Sequence, residues 1–142
     1  MEGAHPRDAA HRAVAGFSMG GYGAMNIALR HPNEFSQIVS VAGYFRVDDP
    51  AGVLARNHAL IAANSPVSHA SNARGKRILL AEDTSDDLPA IKGEAARFKA
   101  VLDRAHIPAT LWISPGQHDW SYAARALAGA ISFLSDGWDR AS

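Results

Sequence analysis

The run Gly16-Phe17-Ser18-Met19-Gly20-Gly21-Tyr22-Gly23 constrains this chain more than any other part of it. Small residues two before and two after a serine let a strand turn sharply into a helix, with the serine strained and exposed at the tip. Where strand and helix approach so closely, side chains at positions 16 and 20 are expected to collide, so glycine is expected to be required at both. The flanks agree with that reading. Residues 12–15 (Arg-Ala-Val-Ala) form the end of an apolar strand, and residues 20–30 place Met25, Ala28 and Leu29 on one helical side. His31-Pro32-Asn33 stops the helix, because proline disfavours helical geometry in the residue before it. Strand, turn and helix in this order are the context a G-x-S-x-G nucleophile elbow needs, and they make Ser18 the candidate nucleophile of an acyl transfer.

A serine hydroxyl is a poor nucleophile at neutral pH, so Ser18 needs a base and a group to orient that base. On such a scaffold the partners follow in the order serine, carboxylate, histidine. His118 is the candidate base. It lies in Pro115-Gly116-Gln117-His118-Asp119-Trp120, after a β-prone run at 109–114 and before a helical stretch from 121. That position is a loop at the carboxyl end of a strand, where open α/β sheets keep their active sites. The six other histidines fall at helix ends, near the start of the chain or in a polar connection. For the acid, the strand at 76–81 is followed by Glu82-Asp83-Thr84-Ser85-Asp86-Asp87-Leu88-Pro89. Asp87 is the first candidate, Asp86 the alternate and Asp83 the third, although Ser and Asp before Pro89 also fit the capping of a helix start. Asp119 adjoins His118, and neighbouring side chains on an extended loop diverge, so it is not expected to orient the imidazole.

Period and punctuation give strands at 12–17, 36–42, 76–81 and 109–114, and helices at 20–30, 89–105 and 121–134, with an irregular polar segment at 45–75. The alternation predicts an α/β fold, a mostly parallel sheet with helices on both faces. The helix from Pro89 carries Ile91, Ala95, Phe98, Leu102 and Ala105 as its apolar stripe, with Lys92, Glu94, Lys99 and Asp103 expected to face water. The 45–75 segment follows the strand after the elbow and is the expected source of substrate contacts, with Leu54, Leu60 and Ile61 read as core.

These residues resemble the carboxyl-terminal half of the esterase D and antigen 85 type of α/β-hydrolase. The matching pieces are Ala15 to Ala24, Ile38-Val39-Ser40-Val41-Ala42-Gly43-Tyr44-Phe45, Asn64-Ser65-Pro66, the acid loop before Leu88, and Pro115 to Tyr122. The resemblance implies an α/β-hydrolase domain over residues 1–142 that lacks the N-terminal strands, acting on a small-molecule acyl ester through Ser18, His118 and the Asp86/Asp87 pair. Esterases and acyltransferases of the group share these motifs; a prolyl oligopeptidase kind of peptidase has the same residue order, but the Ser-Met-Gly-Gly-Tyr-Gly run favours the esterases. One oxyanion donor is expected from the Met19 N–H, and the second comes from an upstream loop that precedes any segment of this chain. Three expectations follow: a piece of a longer protein, a short protein whose second copy covers the open sheet edge, or a non-catalytic interaction domain.

Composition sets the remaining limits. With 142 residues the chain is one domain, able to bury roughly two thirds of its unfolded surface. Fourteen basic and fourteen acidic residues cancel, which argues against nucleic acid or an anionic membrane as partner. The absence of cysteine removes disulfides, thiolate metal sites and a cysteine nucleophile. No residue cluster suggests a metal or organic cofactor, and none is needed for this chemistry. No bilayer-length apolar run or signal peptide is seen, and cysteine usage selects no compartment.

Overall fold

Among the described residues each strand after the first pairs in parallel with the one before it. A computed structural model describes residues 8–49, 51–85 and 87–139. After a short 3-10 turn at Ala9–His11, the elements are β1 (Ala13–Phe17), α1 (Met19–Arg30), β2 (Gln37–Val41), α2 (His58–Ala63), a 3-10 segment (Pro66–Ala73), β3 (Arg77–Asp83), α3 (Glu94–Arg104), β4 (Thr110–Ser114) and α4 (Trp120–Asp139). The sheet order is β1-β2-β3-β4, with Ala13 opposite Gln37, Gln37 opposite Arg77 and Leu79 opposite Thr110.

This order decides where the helices go. Parallel crossovers are right-handed, so strands added stepwise in one direction place their connections on one face. Met25 and Leu29 of α1, Ala70 and Ala73 of the 3-10 segment, and Phe98 and Leu102 of α3 accordingly form one core against Ile38, Ile78 and Leu80. The phenyl rings of Phe45 and Phe98 stack within it at 4.4 Å. Among the described helices α4, which follows β4, alone covers the opposite face, where its Tyr122, Ala130 and Phe133 meet Val39, Val41, Leu79 and Ala81 together with Ile91. Gln37 ties α4 to the sheet: its Nε2 donates to the Leu134 carbonyl at 2.9 Å and its Oε1 accepts from Arg77 at 3.1 Å. The Arg77 guanidinium lies over the Phe133 ring, 3.7 Å from its centroid. β2 and β3 are buried along almost their whole length, whereas β1 is an edge strand of intermediate burial.

The expected elements are present, with several differences. The 45–75 segment is not irregular throughout, since Asn57 caps α2 by accepting the Ala59 and Leu60 N–H groups. Leu60 is exposed and Leu54 and Ile61 are half-buried, so these three are not core. β3 runs two residues past Ala81 and carries Glu82 and Asp83 into the buried sheet. Finally, α3 begins at Glu94 and not at Pro89. The Glu82 carboxylate explains that start: it accepts the N–H groups of Gly93 and Ala95, so a strand side chain supplies the cap, and Gly93 adopts φ +74° in the turn before the helix. Burial pushes the Glu82 carboxyl above its ordinary range against these hydrogen bonds. Glu94, expected in water, is instead buried, accepting the Phe45 N–H at 3.1 Å and the Arg97 Nε–H at 2.7 Å.

Candidate active site

The turn between β1 and α1 is set by contacts that start at the backbone. Ser18 has φ 56° and ψ −122°, a strained conformation for a side-chain-bearing residue, and its N–H donates to the Val41 carbonyl at 2.8 Å, prolonging the β1–β2 ladder by one bond. A Cβ on Gly16 would land on the Gly20 carbonyl, so a glycine is required there. Position 20 itself is open: a Cβ there meets nothing within 4 Å. The second sterically required glycine is Gly21, where a Cβ would lie 2.8 Å from Ser40 Oγ and 2.9 Å from the Val41 carbonyl. The expectation of a collision at 16 and 20 is therefore right for one position and one residue early for the other. At position 21 it is chiefly β2 that excludes the side chain, with the Gly16 carbonyl of the elbow's own strand next at 3.2 Å.

His118 reaches this turn from the loop after β4. Its Nε2 lies 2.8 Å from Ser18 Oγ, across 100 positions of sequence. Its ring stacks on Phe17, with centroids 4.9 Å apart and planes inclined by 25°. Trp120 packs against the same phenyl ring at 5.4 Å. An open hollow of about 570 Å³ surrounds the pair, lined by Phe17, Ser18, Met19, Gly20, His118, Asp119 and Trp120. Met19 opens α1, so its N–H has no intrahelical carbonyl to meet and is available beside Ser18. Asp119 is engaged elsewhere, its Oδ1 accepting the Tyr122 N–H at 2.8 Å at the start of α4.

The acid candidates separate by location. Glu82 holds the turn before α3, and Asp83 is buried at the end of β3 beside Tyr122. Burial pushes the Tyr122 phenol up, and the nearby Asp83 and Glu82 charges add to the shift. Asp87 is exposed on the following loop, and the structure does not join it to His118 by any hydrogen bond. Asp86 lies outside the described residues. The stack of Phe17 on His118 has no signature in the sequence beyond an aromatic residue preceding the nucleophile. A second aromatic pair, Tyr22 on Tyr44 at 4.6 Å, flanks the other side of the elbow, where the Tyr22 hydroxyl donates to the Asn64 carbonyl at 2.9 Å. Burial raises both phenols.

Residues 1–134 match the model of the family described as "Putative esterase". The chain belongs to this esterase family. Among solved structures, this esterase-family chain is similar to a ferulic acid esterase, with TM-score 0.77 and 25% identity, covering 92% of this chain and 52% of that one. It is similar to an S-formylglutathione hydrolase from Agrobacterium tumefaciens, with TM-score 0.78 and 20% identity over 92% of this chain and 50% of that one. A third is FphF, a fluorophosphonate-binding serine hydrolase of Staphylococcus aureus in a substrate-bound structure, with TM-score 0.73, 23% identity and coverage of 90% and 55%. The fold of the esterase-family chain is thus that of the α/β-hydrolases, and the chain spans about half the length of these structures. No curated protein sequence matches it.

Proposed function

We propose that this chain carries the nucleophile and base of a serine esterase that acts on a small-molecule acyl ester. The observation that carries the reading is the 2.8 Å contact between His118 Nε2 and the Oγ of a serine held in a strained elbow. Ser18 Oγ attacks the ester carbonyl carbon while His118 Nε2 takes the hydroxyl proton, and the carbonyl electron pair moves onto oxygen. Met19 N–H faces that oxyanion as one donor. Collapse of the tetrahedral adduct breaks the bond to the leaving alkoxide, which receives the proton from His118, and leaves an acyl group on Ser18. Water activated by the same imidazole then releases the acid and restores the serine; an alcohol in place of water makes the same step an acyl transfer.

A carboxylate from the loop after β3 completes the set by holding the His118 tautomer. Because Asp87 is exposed and not bonded to the imidazole, Asp86 takes first place over Asp87 in this reading.

The test is treatment with a fluorophosphonate, followed by intact-mass and peptide mapping. Attack by Ser18 forms an O–P bond, fluoride leaves, and the serine proton passes to His118. One adduct on Ser18, absent in a folded Ser18→Ala variant, is the expected result. No adduct, or an adduct retained in Ser18→Ala, overturns the assignment.

A further inference from the structure

His118 comes from a loop that starts on the other side of the sheet from Ser18. The order β1-β2-β3-β4 puts β4 three strand spacings from β1, about 14 Å at the ordinary separation of neighbouring strands. A loop that crosses so far needs a surface to land on, and the imidazole lands on the Phe17 ring, with centroids 4.9 Å apart and planes inclined by 25°. Alternation along β1 explains why that ring is there. Val14 packs into the core under α1 and α3, so Ala15 and Phe17 point to the opposite face, toward α4. Phe17 is also the last residue of β1 and directly precedes the nucleophile. Trp120, which opens α4, meets the same ring at 5.4 Å with planes inclined by 50°. The strand that presents Ser18 therefore also receives both aromatic side chains of segment 118–120.

The contact has an electrostatic consequence. The face of a phenyl ring carries the negative part of its quadrupole and attracts a cation within about 6 Å of its centroid. In acyl transfer the imidazole is neutral before Nε2 takes the serine proton and a cation afterwards. A ring at 4.9 Å favours the later state over the earlier one, and a difference of that kind is what lowers a barrier. Neutral imidazole stacks on the same face, so the ring is positioned before the proton moves. An aliphatic side chain at position 17 would fill space beside the imidazole without supplying the quadrupole.

We propose that Phe17 is a positioning residue for His118: its ring holds the imidazole against Ser18 Oγ and stabilises the imidazolium that forms when Nε2 takes the serine proton. The part played in acyl transfer rests on Ser18 and His118 being nucleophile and base, while the effect of the ring on the imidazolium does not. The charged and titratable groups around the imidazole come from several elements. Asp119 follows it in its own loop, with Oδ1 accepting the Tyr122 N–H. At the end of β3, Asp83 and Glu82 lie near the Tyr122 phenol of α4, and Arg125 of α4 sits 5.9 Å from the Tyr122 ring. Asp87 is exposed on the loop after β3, and Asp86 lies outside the described residues. Besides Phe17, β1, the turn after it and α1 bring Ser18, Met19 and Gly20 to the hollow, none of them charged. A substitution at Phe17 leaves all of these groups in place, so a difference between variants reports the ring.

The test titrates the imidazoles of the full 142-residue chain by NMR, with the His118 signal identified by its loss in His118→Ala. Phe17→Leu should lower the His118 midpoint by about 0.4–0.7 of a pH unit, the size of an exposed cation–π contact, and leave the other six histidines unmoved. Phe17→Tyr keeps the ring face and should keep the wild-type midpoint. Pentafluorophenylalanine in place of Phe17 keeps the shape and reverses the quadrupole, so it should lower the midpoint at least as far as leucine does, and it decides the matter if Phe17→Leu loses its circular dichroism. Fluorophosphonate labelling of Ser18 should slow by about 3- to 10-fold in Phe17→Leu and recover in Phe17→Tyr. An unmoved midpoint in the leucine and fluorinated forms, or a midpoint that falls as far in Phe17→Tyr as in Phe17→Leu, overturns the proposal. A protein whose Ser18 takes no label in any form, wild type included, overturns the nucleophile, and the titration still decides whether the ring stabilises the imidazolium.

Discussion

Two loops leave the carboxyl end of the sheet, one after β1 and one after β3, and they are specified in opposite ways. The turn after β1 is fixed mainly by short-range sterics: Gly16 against the Gly20 carbonyl, and Ser18 in a backbone conformation with little room to vary. The loop after β3 is fixed by what surrounds it. Glu82 points away to the start of α3, Asp83 is buried beside Tyr122, and Asp87 is exposed. The first loop can be recognised from eight letters; the second offers four carboxylates and no local rule for choosing among them. Positions built from steric exclusion carry their own signature, and positions built from long-range partners do not.

The largest effects belong to the elbow. His118→Ala should slow fluorophosphonate labelling of Ser18 by about 10³-fold or more, measured as a pseudo-first-order rate. A loss below tenfold would separate the 2.8 Å contact from catalysis. On the other loop, Asp86→Asn should slow the same reaction by about 10²- to 10⁴-fold and Asp87→Asn by less than about threefold. The reverse ranking would return Asp87 to first place.

Stability sharpens the contrast further. Gly16→Ala should cost about 2 kcal/mol or more, because the colliding atom is backbone and cannot step aside. Gly20→Ala should be neutral or stabilising by up to about 1 kcal/mol, since its Cβ meets open space in a helix. Urea midpoints of the two variants decide this, and equal losses would mean that the elbow tolerates no side chain for some reason other than contact.

A smaller effect distinguishes the β3 side. Burial raises the folded-state Glu82 carboxyl above its ordinary value of 4.5, so the folded protein holds this proton more tightly than the unfolded chain. That stabilising contribution is complete below the ordinary value and is lost as pH rises through the raised one. Across this window the stability of the wild type should fall relative to Glu82→Gln, and above it the difference should be flat. Denaturant titrations at successive pH values check the sign; a difference growing in favour of the wild type would show that the Gly93 and Ala95 hydrogen bonds outweigh burial. The smallest expected change is Lys99→Ala. It removes an i,i+4 pair with Asp103 at 2.6 Å, whose carboxylate is half exposed, and should cost about 0.3–0.5 kcal/mol.

The same distinction explains what the sequence disclosed. The alternation of strands and helices was legible because each element carries its own period, and Ser18 and His118 were singled out by a turn motif and by a place after a strand. The start of α3 was misplaced because Pro89 looks like a first-turn residue, whereas Glu82, eleven positions before Gly93, determines the cap. Glu94 has the spacing of a solvent-facing residue, and only the arrival of the Phe45 N–H gives its carboxylate a reason to be buried. Gly21 was missed because its obstacle, Ser40, belongs to the next strand. The gap at the acid has the same origin, as no neighbour in sequence distinguishes Asp86 from Asp87.

Ser18 and His118 meet across 100 positions, with three further strands added between the serine and the histidine. During synthesis the serine leaves the ribosome 100 residues ahead of its partner, so an unfinished or partly assembled chain exposes a hydroxyl with no base beside it. On the assignment proposed above, the appearance of Ser18 labelling in a refolding experiment would time the docking of β4 and its loop.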